Sequence, residues 1–503
     1  MFNWRRVLIL SHRYLGIGIS LVFVLWFASG FVIIYTGGMP SHSEFERLSH
    51  QPPLNLAQVR ITPRRAQSIS TASVEPTLRM IMDRPAYQFI QFTRFAGRQV
   101  HTVFADDGSV LTPGMISSRQ IAADYYDVTD DQIERVATVD EVDQWTIGLR
   151  GELPLEKFRL LDDDSATEIY VSPKKAQVVL STTATERRLA WLGAIPHWLY
   201  FVELRKRSEL WSGVVIWLSS LGTLLALLGL ILFFTQLRRV RPFSLGEAIP
   251  YTGLMRWHYI SGMLFGVITL TWVFSGLLSM EPYRWTKSQG LELSSDVLRG
   301  GEVELLAFSN LDNPSTQSRI QQSLNGRELT EIGFTRRQGE HYYQLTVAPD
   351  SSNEGFEKLQ LDAQTLQIRS QLFSQDYMVQ GLQAAASGHR LISQELLTDY
   401  DDYYYSRSSA NRAPAPLPVL RVKFNDPAST WYYVDFNTSE LVFRTHRLGR
   451  IKRWLYHGLH SLDFSFWYQR RPLWDIAVIV LLLGGLVLCG LGCFLGFRRL
   501  LHR

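Results

Sequence analysis

A chain of 503 residues with 51 Lys+Arg against 47 Asp+Glu is too long for one small domain. Its net charge of +4 is too even for a nucleic-acid binder, and a hydrophobic content of 46% is too ordinary for a wholly embedded transporter. Two cysteines, Cys489 and Cys493, leave no disulfide framework or thiolate metal site, and they read as small packing residues.

The apolar residues are concentrated in four runs, at 15–35, 211–234, 259–280 and 473–497. Each is long enough for a helix that crosses the hydrocarbon core, which takes about 20 apolar residues. The first run opens as "HRYLGIGISLVFVLWFASGF" from His12, behind Arg5 and Arg6. No small-residue cleavage site follows it, so it reads as a retained span and not as a signal peptide. Residues 37–188 then carry "DYYD" at 124–127 and "EIYVSPKKAQVVLS" at 168–181. The second stretch predicts strand, polar turn, strand.

Between this region and the second span lies "LAWLGAIPHWLYFV" at 189–202. His197 stands 14 residues before Trp211, about 21 Å along a continuous helix at about 1.5 Å per residue. The charged "ELRKRSE" at 203–209 therefore predicts a break, with the preceding amphipathic segment folded onto the interface. The third run, "HYISGMLFGVITLTWVFSGL", again opens on a histidine, His258. Residues 281–452 repeat the outer pattern, with "DYDDYYYS" at 399–406 and a second strand–turn–strand, "WYYVDFNTSELVFR", at 431–444.

This order predicts an α-helical membrane protein. Its four-helix transmembrane bundle comes from two duplicated halves and carries two outer α+β domains. The expected boundaries are 1–36 for the first span, 37–188 for the first outer domain and 189–240 for an interfacial segment with the second span. They continue with 241–280 for a loop and the third span, 281–452 for the second outer domain, and 453–503 for an interfacial segment with the fourth span. Arg5, Arg6, Arg13, Arg238, Arg239, Arg241, Arg256, Arg498, Arg499 and Arg503 put the termini and the short loop in the cytoplasm.

The duplication is legible residue by residue. At an offset of 246, His12 matches His258, Gly16 matches Gly262, Trp26 matches Trp272, and Ser29-Gly30 matches Ser275-Gly276. At an offset of 263, His197 matches His460, Trp211 matches Trp474, Gly222 matches Gly485, and Gly229 matches Gly492. Two spans per copy keep both copies in one orientation, about an axis along the membrane normal. The matched glycines predict close helix packing.

Of the twelve histidines, four fall into matched pairs at membrane boundaries: His12 with His258, and His197 with His460. A twofold axis brings equivalent residues face to face, which is the geometry of bis-histidine ligation of haem iron. Interfacial histidines that bond headgroups, and a bare metal ion, are the competing readings. His457 shares a helix face with His460 and is a possible substitute. Trp26 and Trp272 read as an aromatic belt or as walls of the outer site. Arg13, Arg205, Lys206, Arg207, Arg256 and Arg453 lie near the histidines and suit haem propionates or lipid headgroups alike.

The motifs "LSHRYLGIG", "ASGFVI", "RWHYISG", "IPHWLYF" and "RWLYHGLHSLD", with "LPVLRVKFNDPASTWYYVDFNTSELVFR", resemble the PepSY-associated transmembrane family. That family comprises iron-regulated inner-membrane proteins and includes siderophore reductases. The resemblance implies two b-type haems held by His12, His197, His258 and His460. It also implies delivery of electrons to a periplasmic acceptor, notably a ferric siderophore, from the bacterial inner membrane. "IPHWLYF" lacks the family's usual leucine–histidine pair, and the charged insertion before Trp211 departs from its pattern.

No G-x-G-x-x-G opens a helix after a strand, so the donor is expected to be external, a quinol or a cytoplasmic reductant. A non-enzymatic membrane protein serving as a binding, assembly or regulatory module is the alternative. The scarcity of acidic residues in the spans counts against an ion-coupled permease.

Overall fold

The computed structural model describes residues 3–93, 97–238, 244–287, 290–350, 355–406 and 414–501. Arg239, Arg241 and Arg503, counted above toward the cytoplasmic face, lie outside them. The described chain divides into two compact units, each folded around its own core.

The first unit gathers residues 1–39, 185–288 and 447–503. Its four long helices are Trp4–Thr36, Ser208–Gln236, Gly253–Ser279 and Leu473–Leu501, all long and apolar enough to cross a membrane. The first begins eight residues before His12, so this histidine sits about two turns inside the helix and not at its head. Asn3 caps the start by accepting from the Arg6 N–H, and Gly37 ends the helix at a φ of 77°. Leu21, Trp217, Phe234, Leu264, Val267 and Val487 are exposed on the outward faces. Helices apolar on every side are stable only where lipid replaces water. The first and third spans each pack against the second and the fourth, which leaves first and third diagonal to one another. Phe23, Phe27, Leu225, Trp272, Trp474 and Leu482 fill the space between them.

The expected break before the second span is present. The chain runs through short helices at Ala184–Leu192, Ala194–Trp198 and Val202–Arg205 before the span begins at Ser208. Leu199 turns the chain back at a φ of 51°, and Leu462 does the same before the fourth span at a φ of 50°. A left-handed leucine costs about 1–2 kcal/mol. An indole pins each turn: Trp211 Nε1 donates to the Trp198 carbonyl at 2.9 Å, and Trp474 Nε1 donates to the Leu462 carbonyl at 3.0 Å.

The second unit gathers residues 40–184 and 289–446. Its strands are β1 (Pro76–Ile81), β2 (Arg84–Thr93), β3 (Gly97–Phe104), β4 (Ile133–Val139), β5 (Leu155–Leu160), β6 (Glu168–Ser172) and β7 (Gln177–Thr182). They continue with β8 (Leu329–Arg337), β9 (Glu340–Val347), β10 (Glu357–Asp362), β11 (Leu391–Leu397), β12 (Val419–Phe424), β13 (Trp431–Asp435) and β14 (Glu440–Thr445). Both expected strand–turn–strand motifs form, as β6–β7 and β13–β14, and each pair carries its bulge at a tyrosine–valine step.

The two segments expected as separate outer domains instead share a sheet. Its order is β10-β9-β8-β1-β2-β3, and it joins them where β1 pairs antiparallel with β8. Its core mixes Leu78, Tyr87 and Phe89 from one segment with Phe308, Ile332 and Tyr343 from the other. Two four-stranded sheets, β4-β5-β6-β7 and β11-β12-β13-β14, each pack one helix, Ser118–Tyr125 and Gln375–Ala385 respectively. The tyrosine-rich stretches serve this packing. Tyr125 stacks on His50 at 3.9 Å, and Asp401 accepts from Tyr433 at 2.9 Å and from Arg421 at 2.5 Å.

The seam between the segments is also electrostatic. Glu331 on β8 accepts a two-pronged contact from Arg47 at 2.5 and 3.1 Å, with Arg79 on β1 at 3.5 Å. Burial opposes ionisation of Glu331, but the Arg47 hydrogen bond and the charges of Arg47 and Arg79 outweigh it and hold its carboxyl below the ordinary value. A carboxylate with a lowered folded pKa contributes stability above its unfolded value and loses it as pH falls through the folded one. Glu331→Gln is expected to destabilise the protein by about 3 kcal/mol at neutral pH, because it strands buried guanidinium charge. The gap from wild type should narrow below about pH 4. Denaturant unfolding followed by tryptophan fluorescence across pH 3–7 checks both.

Candidate functional site: two facing histidine pairs

The four matched histidines converge as two pairs. His12 and His258, on the diagonal first and third spans, have ring centroids 6.4 Å apart with planes at 39°. His197 and His460, on the two returning connectors, stand 6.1 Å apart at 67°. The chain reversal at Leu199 and Leu462 brings the second pair back against the bundle. His460, and not His457, is the partner of His197; the His457 ring packs on Tyr456 at 4.9 Å.

Hydrogen bonds orient these rings. His197 Nδ1 lies 3.2 Å from the Trp26 carbonyl and 3.1 Å from Ser29 Oγ. His460 Nδ1 lies 3.1 Å from the Trp272 carbonyl and 3.0 Å from Ser275 Oγ. A carbonyl only accepts, so each Nδ1 carries the proton and donates. The serine hydroxyls spend their own protons on the Leu25 carbonyl at 2.7 Å and the Trp272 carbonyl at 2.9 Å, so their lone pairs face the imidazoles. This tautomer leaves Nε2 as the free lone pair of each ring. His12 Nδ1 donates to the Leu225 carbonyl at 3.2 Å. His258 is the exception: the Leu488 backbone faces it, yet its buried Nδ1 has no hydrogen bond of normal geometry among the described residues.

Glycines make room for the rings. A Cβ at Gly229 would stand 3.0 Å from His12 Cε1, and one at Gly492 would stand 3.2 Å from His258 Cε1. Gly276 has the same relation to His460, at 3.6 Å. Gly229 and Gly492, expected to let helices approach each other, do so by admitting the imidazole of the span packed against them. Gly222 and Gly485 admit the rings of Phe23 and Phe27. Trp26 and Trp272 contribute through their backbone carbonyls, and Trp272 also packs on Phe27 at 5.6 Å.

Around His12 and His258 lies a half-open cavity of about 730 Å³. Its lining is largely apolar and glycine-rich and includes Arg13, Arg498 and Arg499, with no Asp or Glu among the described residues. Such a space suits a ligand with an apolar body and anionic groups. Arg13 alone of the six expected cations lines it. Arg205 lies over the Tyr200 and Trp211 rings, Lys206 pairs with Glu203, Arg256 donates to the Gly246 carbonyl, and Arg453 pairs with Asp463. Arg207 stands at the start of the second span. Ser29, Ser275, Arg498 and Arg499 were not expected at the site. The available signal was a polar serine 17 residues after each leading histidine, inside otherwise apolar sequence.

A four-helix membrane bundle that gathers two facing imidazole pairs, joined in sequence to an antiparallel α+β unit, defines a multi-pass membrane protein. The chain belongs to the PepSY-associated TM region family, whose profile matches residues 9–499 and so takes in all four spans and both sheet segments. No curated protein matches it.

The pairing has a direct chemical test. In a Cys489→Ala/Cys493→Ala background, cysteines placed at 12 and 258, or at 197 and 460, should be joined within one chain by a short bismaleimide. Cysteines at 12 and 460 should not. Peptide mass spectrometry reads the crosslinks, and an efficient 12–460 product would refute the arrangement.

Proposed function

We propose that this protein is a bacterial inner-membrane di-haem reductase. It passes electrons across the membrane to a periplasmic acceptor, a ferric siderophore, and so releases iron for uptake. The observation that carries this reading is the spacing of the two histidine pairs. A metal–imidazole bond is about 2.0 Å and the ring centre lies about 1.1 Å beyond the nitrogen, so two imidazoles that would hold one metal atom between them would have centroids about 6.2 Å apart. The observed 6.4 and 6.1 Å fit that value.

Each pair offers two donors, where a bare ion needs three or four. No cluster of three or more His, Cys, Asp or Glu that could hold an ion occurs among the described residues. A macrocycle brings its equatorial donors with it. Haem b bound at each pair would supply one-electron redox chemistry.

The residues of this chain have definite roles in that reading. The Nδ1 hydrogen bonds of His12, His197 and His460 fix those rings and leave Nε2 as the nitrogen with a free lone pair. Arg13, Arg498 and Arg499 would take the carboxylates of the group held by His12 and His258. Phe23, Phe27 and Trp272 keep water out of the middle of the bundle. The basic residues near the termini favour a cytoplasmic location for that end and, with it, a periplasmic sheet unit. Two copies of one ancestral unit account for the matched histidines, serines, tryptophans and left-handed leucines. The donor is external, a quinol or a cytoplasmic reductant.

Purified protein should show a reduced-minus-oxidised b-type spectrum with two haems per chain. His12→Ala or His258→Ala should remove one haem, and His197→Ala or His460→Ala the other. The reduced protein should be oxidised by ferric chelates in stopped flow. Absence of haem from protein made with haem supplied would sink the reading in favour of a binding or assembly module.

A further inference from the structure

The two histidine pairs differ in how their Nδ1 protons are held. His197 and His460 each face two acceptors, a tryptophan carbonyl and a serine oxygen. His12 has one, and His258 has none of normal geometry among the described residues. Ser29 and Ser275 are buried at 2% and 0% exposure, and each hydroxyl proton is already committed to a carbonyl of its own helix. A mid-helix serine that only satisfies itself would stop there. Both of these serines also present a lone pair to an imidazole that arrives on a different segment of the chain.

An Nδ1–H that donates strongly makes the opposite nitrogen a better electron donor. A better donor stabilises the more oxidised state of the iron it ligates and so lowers its potential. From this contrast we infer that Ser29 and Ser275 are positioning residues. They make the His197/His460 pair the more electron-donating of the two and so give a haem there the lower midpoint potential. The inference rests on the haem reading above and deepens it. The exit side of the protein carries the stronger reductant, which suits an acceptor as hard to reduce as chelated ferric iron. The membrane potential, negative inside, favours moving an electron to that side.

Redox titration of the full-length protein in detergent, followed by absorbance, tests this. Wild type should show two midpoints, and His197→Ala should abolish the lower one. Ser29→Ala/Ser275→Ala should raise the lower midpoint and leave the higher one unmoved. Ser29→Thr/Ser275→Thr, which keeps both hydroxyls, should restore it. If the double alanine variant sheds the haem, the single variants are titrated, and each should raise the lower midpoint by a smaller amount. The inference is overturned if both midpoints stay unmoved, if the two shift together, or if the lower one belongs to His12/His258. Wild-type protein without haem would overturn the haem reading itself, a different result from haem present with unmoved potentials.

Discussion

A buried imidazole in a lipid-spanning bundle has to place its N–H on an acceptor, and the site is organised around that requirement. Water is absent from the hydrocarbon core, and an unpaired donor there costs several kcal/mol. Three of the four histidines meet the need by donating Nδ1–H to a backbone carbonyl of another segment: Trp26, Trp272 or Leu225. Each such bond fixes the ring's tautomer and direction together. It leaves Nε2 free, and the diagonal placement of the first and third spans brings the His12 and His258 rings together.

The remaining features serve that arrangement. Imidazoles reach the bundle interior because Gly229 and Gly492 present no side chain where the rings lie. The second pair arrives from connectors and not from the spans, so those connectors must double back. They do so at two left-handed leucines, each pinned by the indole that opens the following span. The sheet unit is held by a seam of its own, in which β1 and β8 pair and Arg47 and Arg79 meet Glu331. That seam makes one folded body of two segments that are far apart in sequence.

Much of this could be read from the sequence, for identifiable reasons. Lipid imposes a length and an apolar composition on a span, so the four runs announced themselves. Their ends were harder to place, because helices continue into charged residues such as Arg5 and Arg6 that hydropathy counts as loop. The β6–β7 and β13–β14 hairpins were visible through alternation and their polar turns. The four histidines were visible because positions that recur at a constant offset along the chain single out residues that composition would never mark.

The sequence by itself determined the number of spans, the matched histidine pairs and the break before Trp211. These depend on local chemistry: hydropathy, turn residues and spacing along the chain. Only the tertiary structure decided that His460 and not His457 meets His197, which ring of the neighbouring span each glycine admits, and that two expected outer domains share one sheet. It also revealed the serines as acceptors. The physical reason is that a hydrogen bond between segments 168 or 185 residues apart leaves no local trace. Its direction is set by how the helices and connectors pack, and that exists only once they have packed.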